Sequence, residues 1–236
     1  MINCVPFGGI SNRLKCVISS IVEYNDINLI WNIPSEGGVG CLFNDIYKNK
    51  FDGTSKQQVS SCEFIHTSMN TNNSGDKLML DEVLKAKYIN VIKSLEPVEY
   101  IQHRITEELN ILQEFTTVSV RTFRSFPREY RKWGTHFNIN ELYKVMDNIT
   151  GKILLTCDDI GTVNLLKDRY DIYITPKRTE FGDFKTIEGM QDILIDLYVG
   201  SQAKQIYGTN MSSFSELQWW LGECNSQYIG MNLHDN

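Results

Sequence analysis

Apolar and polar positions along the chain follow two periods, and the elements they predict change character halfway. The opening INCVPFGG is a short apolar run closed by Gly8 and Gly9, which predicts a buried strand running into a turn. SNRLKCVISSIVEYND then places Leu14, Val17, Ile18, Ile21 and Val22 at helical spacing, with Ser11 as the expected N-cap. NLIWNI predicts a second strand. From residue 34 to about residue 73 the periodicity fades into Gly, Ser and Asn, which predicts loops with one short helix near residues 42–47. PVEYIQHRITEELNILQEF predicts an amphipathic helix with Pro97 at its start.

The second half alternates regularly. TTVSV, KILLTC, DIYIT, KQIYGT and QYIGMN predict strands; INELYKVMDNI, GTVNLLKDRY, GMQDILIDLYVGSQ and SFSELQWWLGE predict the helices between them. Strands alternating with helices imply parallel sheets covered by helices. The expected fold class is α/β, two Rossmann-like domains with a cleft between them. The boundary is expected near Glu114, giving domains 1–113 and 114–236.

Composition narrows the classes. The chain has 236 residues, 42% of them hydrophobic and 11% aromatic, enough for a packed core. Its 23 Lys and Arg against 29 Asp and Glu leave a net charge of −6, which argues against nucleic acid as a partner. Its six cysteines contain no C-x-x-C pair and several stand in apolar runs, so buried reduced thiols are expected. MINCVPFGG lacks a signal-peptide pattern, and no apolar run is long enough to span a bilayer. A soluble, cytoplasmic protein is the expectation.

In parallel sheets ligands bind beyond the carboxyl ends of the strands, and four features fall there. Gly8 and Gly9 precede a helix whose first turn carries Asn12 and Arg13; this is a close-approach turn, but not G-x-G-x-x-G. The stretch VSVRTFRSFPREYRKW concentrates Arg121, Arg124, Arg128, Arg131 and Lys132 around a single acid, Glu129. Arg121 directly follows a strand, where a guanidinium can fork onto phosphate oxygens; Arg128, Arg131 and Lys132 read rather as solvated loop charge. Asp158 and Asp159 end KILLTC and can cap the next helix or accept from a base or sugar. In YGTNMSSFSELQWW, Ser213 and Glu216 match the S-x-x-E capping box, while Ser212 and Ser213 also suit a phosphate seat. The Trp219–Trp220 pair reads as core. No clear metal-ligand set appears.

Together these features resemble the GDP-fucose-dependent fucosyltransferases of the GT-B fold, a family that includes nodulation, core N-glycan and protein O-fucosyltransferases. Gly9, Asn12, Arg13 and Leu14 match its G-x-x-N-R-L element. Arg121 matches the first arginine of H-V-R-R-x-D. LLTCDD matches a strand ending in an acidic pair. Asp196, Leu197, Tyr198 and Ser201 match D-L-Y-x-x-S, and Thr209, Ser212, Ser213 and Phe214 match the final T-x-x-S-S-F element. The departures are Ser119 at the histidine position, with Thr122 and Arg124 in place of the second arginine and the aspartate.

The resemblance implies an inverting, metal-independent glycosyltransferase. Its donor would be GDP-fucose, its acceptor a glycan or glycoconjugate, and it would need no cofactor. Arg121 would hold the β-phosphate beside Ser212 and Ser213. Asp196 would contact the base, Asp158 or Asp159 the base or ribose. Gly9, Asn12 and Arg13 would face the phosphates or sugar. Glu129, eight residues past Arg121, is the candidate general base. The departures keep open another nucleotide-sugar donor, or a non-catalytic nucleotide- or sugar-binding module.

Overall fold

The computed structural model describes residues 1–32, 38–53, 55–61, 82–124, 136–210 and 212–234. The chain divides into two compact units. The described residues of Met1–Met69, Leu78–Arg104 and Asp183–Leu194 form the first, and those of Ile105–Gly182 and Ile195–Asn236 the second.

The first unit is built on three short parallel strands, β1 (Ile2–Cys4), β2 (Ile27–Leu29) and β3 (Gln58–Val59), in the order β2-β1-β3. Helix α1 (Ile10–Tyr24) crosses from β1 to β2 and packs Cys16 and Val17 against Ile2, Cys4 and Ile27. It begins earlier than the sequence suggests. Gly9, not Ser11, is the N-cap: its carbonyl already accepts from the Arg13 N–H at 3.0 Å, and Ser11 lies inside the helix, 5% exposed. Asn25 ends α1 in the left-handed region, φ 59°, returning its N–H to the Ile21 carbonyl at 2.8 Å.

The expected short helix is a single 3-10 turn, Phe43–Asp45, whose Phe43 ring meets Trp31, Tyr47 and Phe51. Helices α2 (Glu82–Ser94) and α3 (Glu99–Leu112) follow. Cys4, Cys16 and Cys41 are buried free thiols and Cys157 and Cys224 are half-buried; Cys62 lies outside the described residues. The Cys4 and Cys16 sulfurs are 3.8 Å apart. Their contact pulls the Cys16 thiol down to about 7 and pushes that of Cys4 up.

The second unit carries a five-stranded, wholly parallel sheet. Its strands are β4 (Phe115–Val120), β5 (Lys152–Cys157), β6 (Ile172–Tyr173), β7 (Gln205–Thr209) and β8 (Gln227–Met231), in the order β6-β5-β4-β7-β8. The connecting helices are α4 (Ile139–Met146), α5 (Ile160–Lys167), α6 (Ile187–Ser201) and α7 (Ser213–Leu221). The chain reaches one edge through β5 and β6, then returns past β4 to build β7 and β8. The strand order therefore reverses between β4 and β7, the position where parallel sheets open a binding crevice at their carboxyl ends.

Strand β4 is buried along its whole length, yet its two faces differ. Val118 and Val120 pack with Leu142 and Met146 of α4 and Val163 and Leu166 of α5. Thr117 and Ser119, on the opposite face, are satisfied by hydrogen bonds, to the Gly200 carbonyl at 2.9 Å and with the Ser215 hydroxyl at 3.0 Å. Gly208 on β7 admits α7 closely, since a Cβ there would collide with the Tyr228 hydroxyl and the Ser215 Cβ. Trp219 and Trp220 are core, 6% and 0% exposed. No helix among the described residues is long and apolar enough to cross a membrane.

Candidate functional site

At the switch point, Thr209 ties the ends of β4 and β7 together. Its hydroxyl accepts from the Arg121 N–H at 2.9 Å and donates to the Ser119 carbonyl at 3.0 Å. Arg121 leaves the sheet here with its side chain 23% exposed, and its Nη1 lies 3.1 Å from Asp158 Oδ2. Asp158 does more than pair with it. Its Oδ1 accepts from the Thr122 N–H at 2.7 Å and the Thr122 hydroxyl at 2.9 Å, and its Oδ2 from the Phe123 N–H at 3.1 Å.

The turn this carboxylate holds is strained. Phe123 has φ 59°, a left-handed conformation that costs a residue with a Cβ about 1–2 kcal/mol. Four acceptor bonds from one carboxylate, and the Arg121 guanidinium 5.1 Å from the Phe123 ring centroid, offset that cost. The result is a guanidinium fixed in direction at the strand end.

The neighbouring aspartate has a separate task. Asp159 is the N-cap of α5, its Oδ2 accepting from the Thr162 N–H at 2.8 Å and the Thr162 hydroxyl at 2.7 Å. Arg124 approaches the same oxygen at 3.8 Å and lies over the Phe137 ring. The acidic pair, alike in sequence, thus divides between holding the Arg121 turn and capping a helix.

Ser212, rather than Ser213, caps α7, with its hydroxyl accepting from the Ser215 N–H at 3.4 Å. The expected Ser213–Glu216 box does not form, because Glu216 turns into the interior and is 5% exposed. Ser213 is the first residue of the helix. Ser119, at the position where the resembling family has histidine, is 2% exposed and bonded to Ser215; it offers no side chain to a ligand.

Asp196 stands on α6, half-buried. Its Oδ1 accepts from the Thr175 hydroxyl and lies 2.5 Å from Lys177 Nζ. Lys177 in turn donates to Thr175 at 2.7 Å. Lys177 and Thr175 were not among the residues the sequence singled out. Their signal is the TPKR run just beyond β6, two cations at a strand end.

In the first unit, Gly8 takes φ 84° at the β1 turn, a conformation that favours glycine. Arg13 is 3% exposed. Its Nε donates to the Gly8 carbonyl at 3.0 Å, its Nη1 to the Asn32 carbonyl at 2.6 Å, and its guanidinium lies 4.9 Å from the Trp31 ring centroid. Burial holds its pKa below the ordinary arginine value. No carboxylate pairs with it among the described residues. Asn12, one position earlier, has a buried Oδ1 without a hydrogen-bond partner.

Glu129, Arg128, Arg131 and Lys132 lie outside the described residues. Among the described residues no group of three His, Cys, Asp or Glu is placed to hold a metal ion.

By sequence, no family model and no curated protein matches the chain. By structure it is similar to NodZ α-1,6-fucosyltransferase soaked with GDP-fucose. The TM-score is 0.59 at 13% identity, over 93% of this chain and 91% of that one. NodZ from Bradyrhizobium gives 0.58 at 12% identity, over 93% and 92% of the two chains. A mutant FUT1 of Arabidopsis thaliana in complex with GDP gives 0.54 at 12%, over 100% of this chain and 70% of that one. The five-stranded parallel sheet, the reversal between β4 and β7 and these likenesses agree: the chain has the α/β, GT-B fold of the fucosyltransferase structures.

Proposed function

We propose that the chain is an inverting, metal-independent glycosyltransferase that takes fucose from GDP-fucose and passes it to a glycan or glycoconjugate. One observation carries the reading. Arg121 stands at the carboxyl end of β4, at the strand-order reversal, with its guanidinium held by Asp158, in a fold shared with fucosyltransferases crystallised with GDP and GDP-fucose.

The chemistry follows from charge. Breaking the bond between sugar and diphosphate builds negative charge on the leaving nucleotide. Arg121 and the N-terminal N–H groups of α7, organised by Ser212, are fixed donors for that charge. A preorganised donor of this kind is worth about 3–4 kcal/mol in the transition state. In this reading no divalent ion is needed, and transfer survives EDTA. Asp158 aligns Arg121 instead of reading the base, Asp159 serves as a cap, and Asp196 with Lys177 lies toward the base. Gly9, Asn12 and Arg13 shape the β1 turn on the sugar or phosphate side. Glu129, the single carboxylate of the basic stretch, takes the proton of the acceptor hydroxyl.

Ser119 supports a second reading, the same fold with another nucleotide-sugar, since a buried serine replaces the histidine of the resembling family. A thermal-shift panel of GDP, UDP and ADP decides the base. A nucleotide at about 100 times its Kd stabilises by about 2.7 kcal/mol. Preference for GDP, with turnover of GDP-fucose, supports the first reading; preference for UDP or ADP selects the second; binding without turnover of any donor leaves a non-catalytic module.

A further inference from the structure

The Arg121 turn is held from a third direction, by the far end of the chain. His234, separated from Arg121 by 113 positions, places its Nε2 2.9 Å from the Arg121 carbonyl. A carbonyl can only accept, so Nε2 is the donor in this contact. The Nδ1 of the same ring is buried without a hydrogen-bond partner.

The imidazole ring also lies 5.0 Å from the Phe123 ring centroid and 5.7 Å from that of Phe137. Its own backbone is anchored. His234 pairs with Phe137 in an antiparallel bridge, the Asn138 N–H donates to the Leu233 carbonyl at 2.8 Å, and Leu233 is 1% exposed in the core. One side chain therefore contacts Arg121 by a hydrogen bond and the strained Phe123 by its ring, from a rigid support.

We propose that His234 is a positioning residue that fixes the direction of the Arg121 guanidinium through the Arg121 carbonyl and the Phe123 ring. The inference rests on the nucleotide-sugar reading of the site. Arg121 continues from β4 into a left-handed residue, and such a turn relaxes when a contact holding it is removed. Asp158 fixes the amides of the turn, while His234 holds the Arg121 carbonyl and meets the Phe123 ring. Loss of His234 leaves Arg121 present but misdirected.

Two substitutions separate the contributions. His234→Phe keeps a ring beside Phe123 and Phe137 and removes the donor; His234→Gln keeps an N–H at comparable reach and removes the ring. Each is made in the full chain and checked for folding by circular dichroism. The first readout is hydrogen exchange at the Thr122 and Phe123 amides, without ligand. His234→Phe is expected to speed exchange there on the order of tenfold, the scale of one hydrogen bond, and His234→Gln less. The second readout is kinetic: kcat falls on the order of tenfold in His234→Phe while the Kd for GDP moves little, and His234→Gln recovers most of the loss.

Unchanged exchange at Thr122 and Phe123 in folded His234→Phe overturns the positioning role, whatever the activity. So does a folded His234→Phe with the kcat of the parent. A parent chain that binds no nucleoside diphosphate overturns the proposed function instead, and the exchange measurement alone then decides the role of His234.

Discussion

Two arginines follow the first strand of the two sheets, and they are held in opposite ways. Arg13, beyond β1, is 3% exposed and held by two backbone carbonyls and the Trp31 ring, with no carboxylate among the described residues. Arg121, beyond β4, is partly exposed and faces Asp158, which also gathers the amides of its turn. A buried guanidinium bonded to carbonyls stiffens the backbone around it. A partly exposed one paired with a carboxylate stays within reach of an incoming anion. In the proposed function, that difference makes Arg13 chiefly a support of the Gly8–Gly9 turn and Arg121 the donor to the leaving phosphate.

The largest effect tests that division directly. Arg121→Ala is expected to lower turnover by on the order of 10²–10³ with the fold retained, since Asp158 keeps its bonds from Thr122 and Phe123. Arg121→Lys is also costly, because an ammonium cannot reproduce the planar fork. Arg13→Met is expected to do the reverse. It removes two charge-assisted hydrogen bonds and the stacking on Trp31, and lowers unfolding stability by about 2–4 kcal/mol. Urea unfolding beside donor turnover reads both. A stable Arg13→Met with lost turnover, or a folded Arg121→Ala as active as the parent, breaks the comparison.

A smaller effect concerns α7, the helix that follows β7 at the switch point. Ser212→Ala is expected to cost about 1 kcal/mol as a lost N-cap and to weaken nucleotide binding. Ser213→Ala, at the first helical position, is expected to change stability by less than about 0.5 kcal/mol. Equal stability losses in the two variants would return the cap to Ser213. An unchanged Kd for GDP in folded Ser212→Ala would reduce Ser212 to a cap alone.

The alternation of the second half was legible because each apolar run, KILLTC or KQIYGT, is bounded by polar turns and long enough to be buried. The reversal that places Arg121 beside Thr209 was not, since strand order is a tertiary property. Helix α2 was not legible: Ile89 and Val91 stand between its two buried residues, Tyr88 and Ile92, so its apolar positions form no clean one-sided stripe, and it follows a weakly patterned region. The capping box was misread by one residue, because the same SSFSE run allows either serine and only burial of Glu216 decides. Asp158 and Asp159 are adjacent and chemically identical, yet one holds the Arg121 turn and the other caps α5, a division no local pattern announces. Arg13 was legible as a position but not as a buried one, because its partners are carbonyls that every residue carries. His234 had no signal at all, since nothing local connects it to a residue 113 positions earlier.

The smallest effect comes from a third arginine, which supplies an exposed reference for the other two. Arg169 Nη2 donates to both oxygens of Asp147, at 2.9 and 2.8 Å, and its guanidinium lies over the Tyr143 and Tyr170 rings. The Tyr170 hydroxyl donates to Asp147 Oδ1 at 2.6 Å. That bond, with Arg169 beside it, holds the Asp147 carboxyl below its ordinary value. The sign is then fixed: a carboxylate with a lowered folded pKa contributes stability above the ordinary carboxylate range, and the contribution is lost as pH falls through the folded value. The side chains are about half exposed, 47% for Arg169 and 48% for Asp147, so solvent and salt screen the pair. Asp147→Asn is therefore expected to lower the Tm only slightly at pH 7, less in high salt, and not at all once the parent carboxyl is protonated. Turnover should not change, because the pair follows α4 and α5 at the amino end of the sheet, away from the strand ends that carry Arg121. Melting curves of the two proteins across pH 2–8, at low and high salt, provide the check. A loss at pH 7 as large as that of Arg13→Met would mean that exposure does not separate these arginines, and the contrast drawn between Arg13 and Arg121 would need another cause.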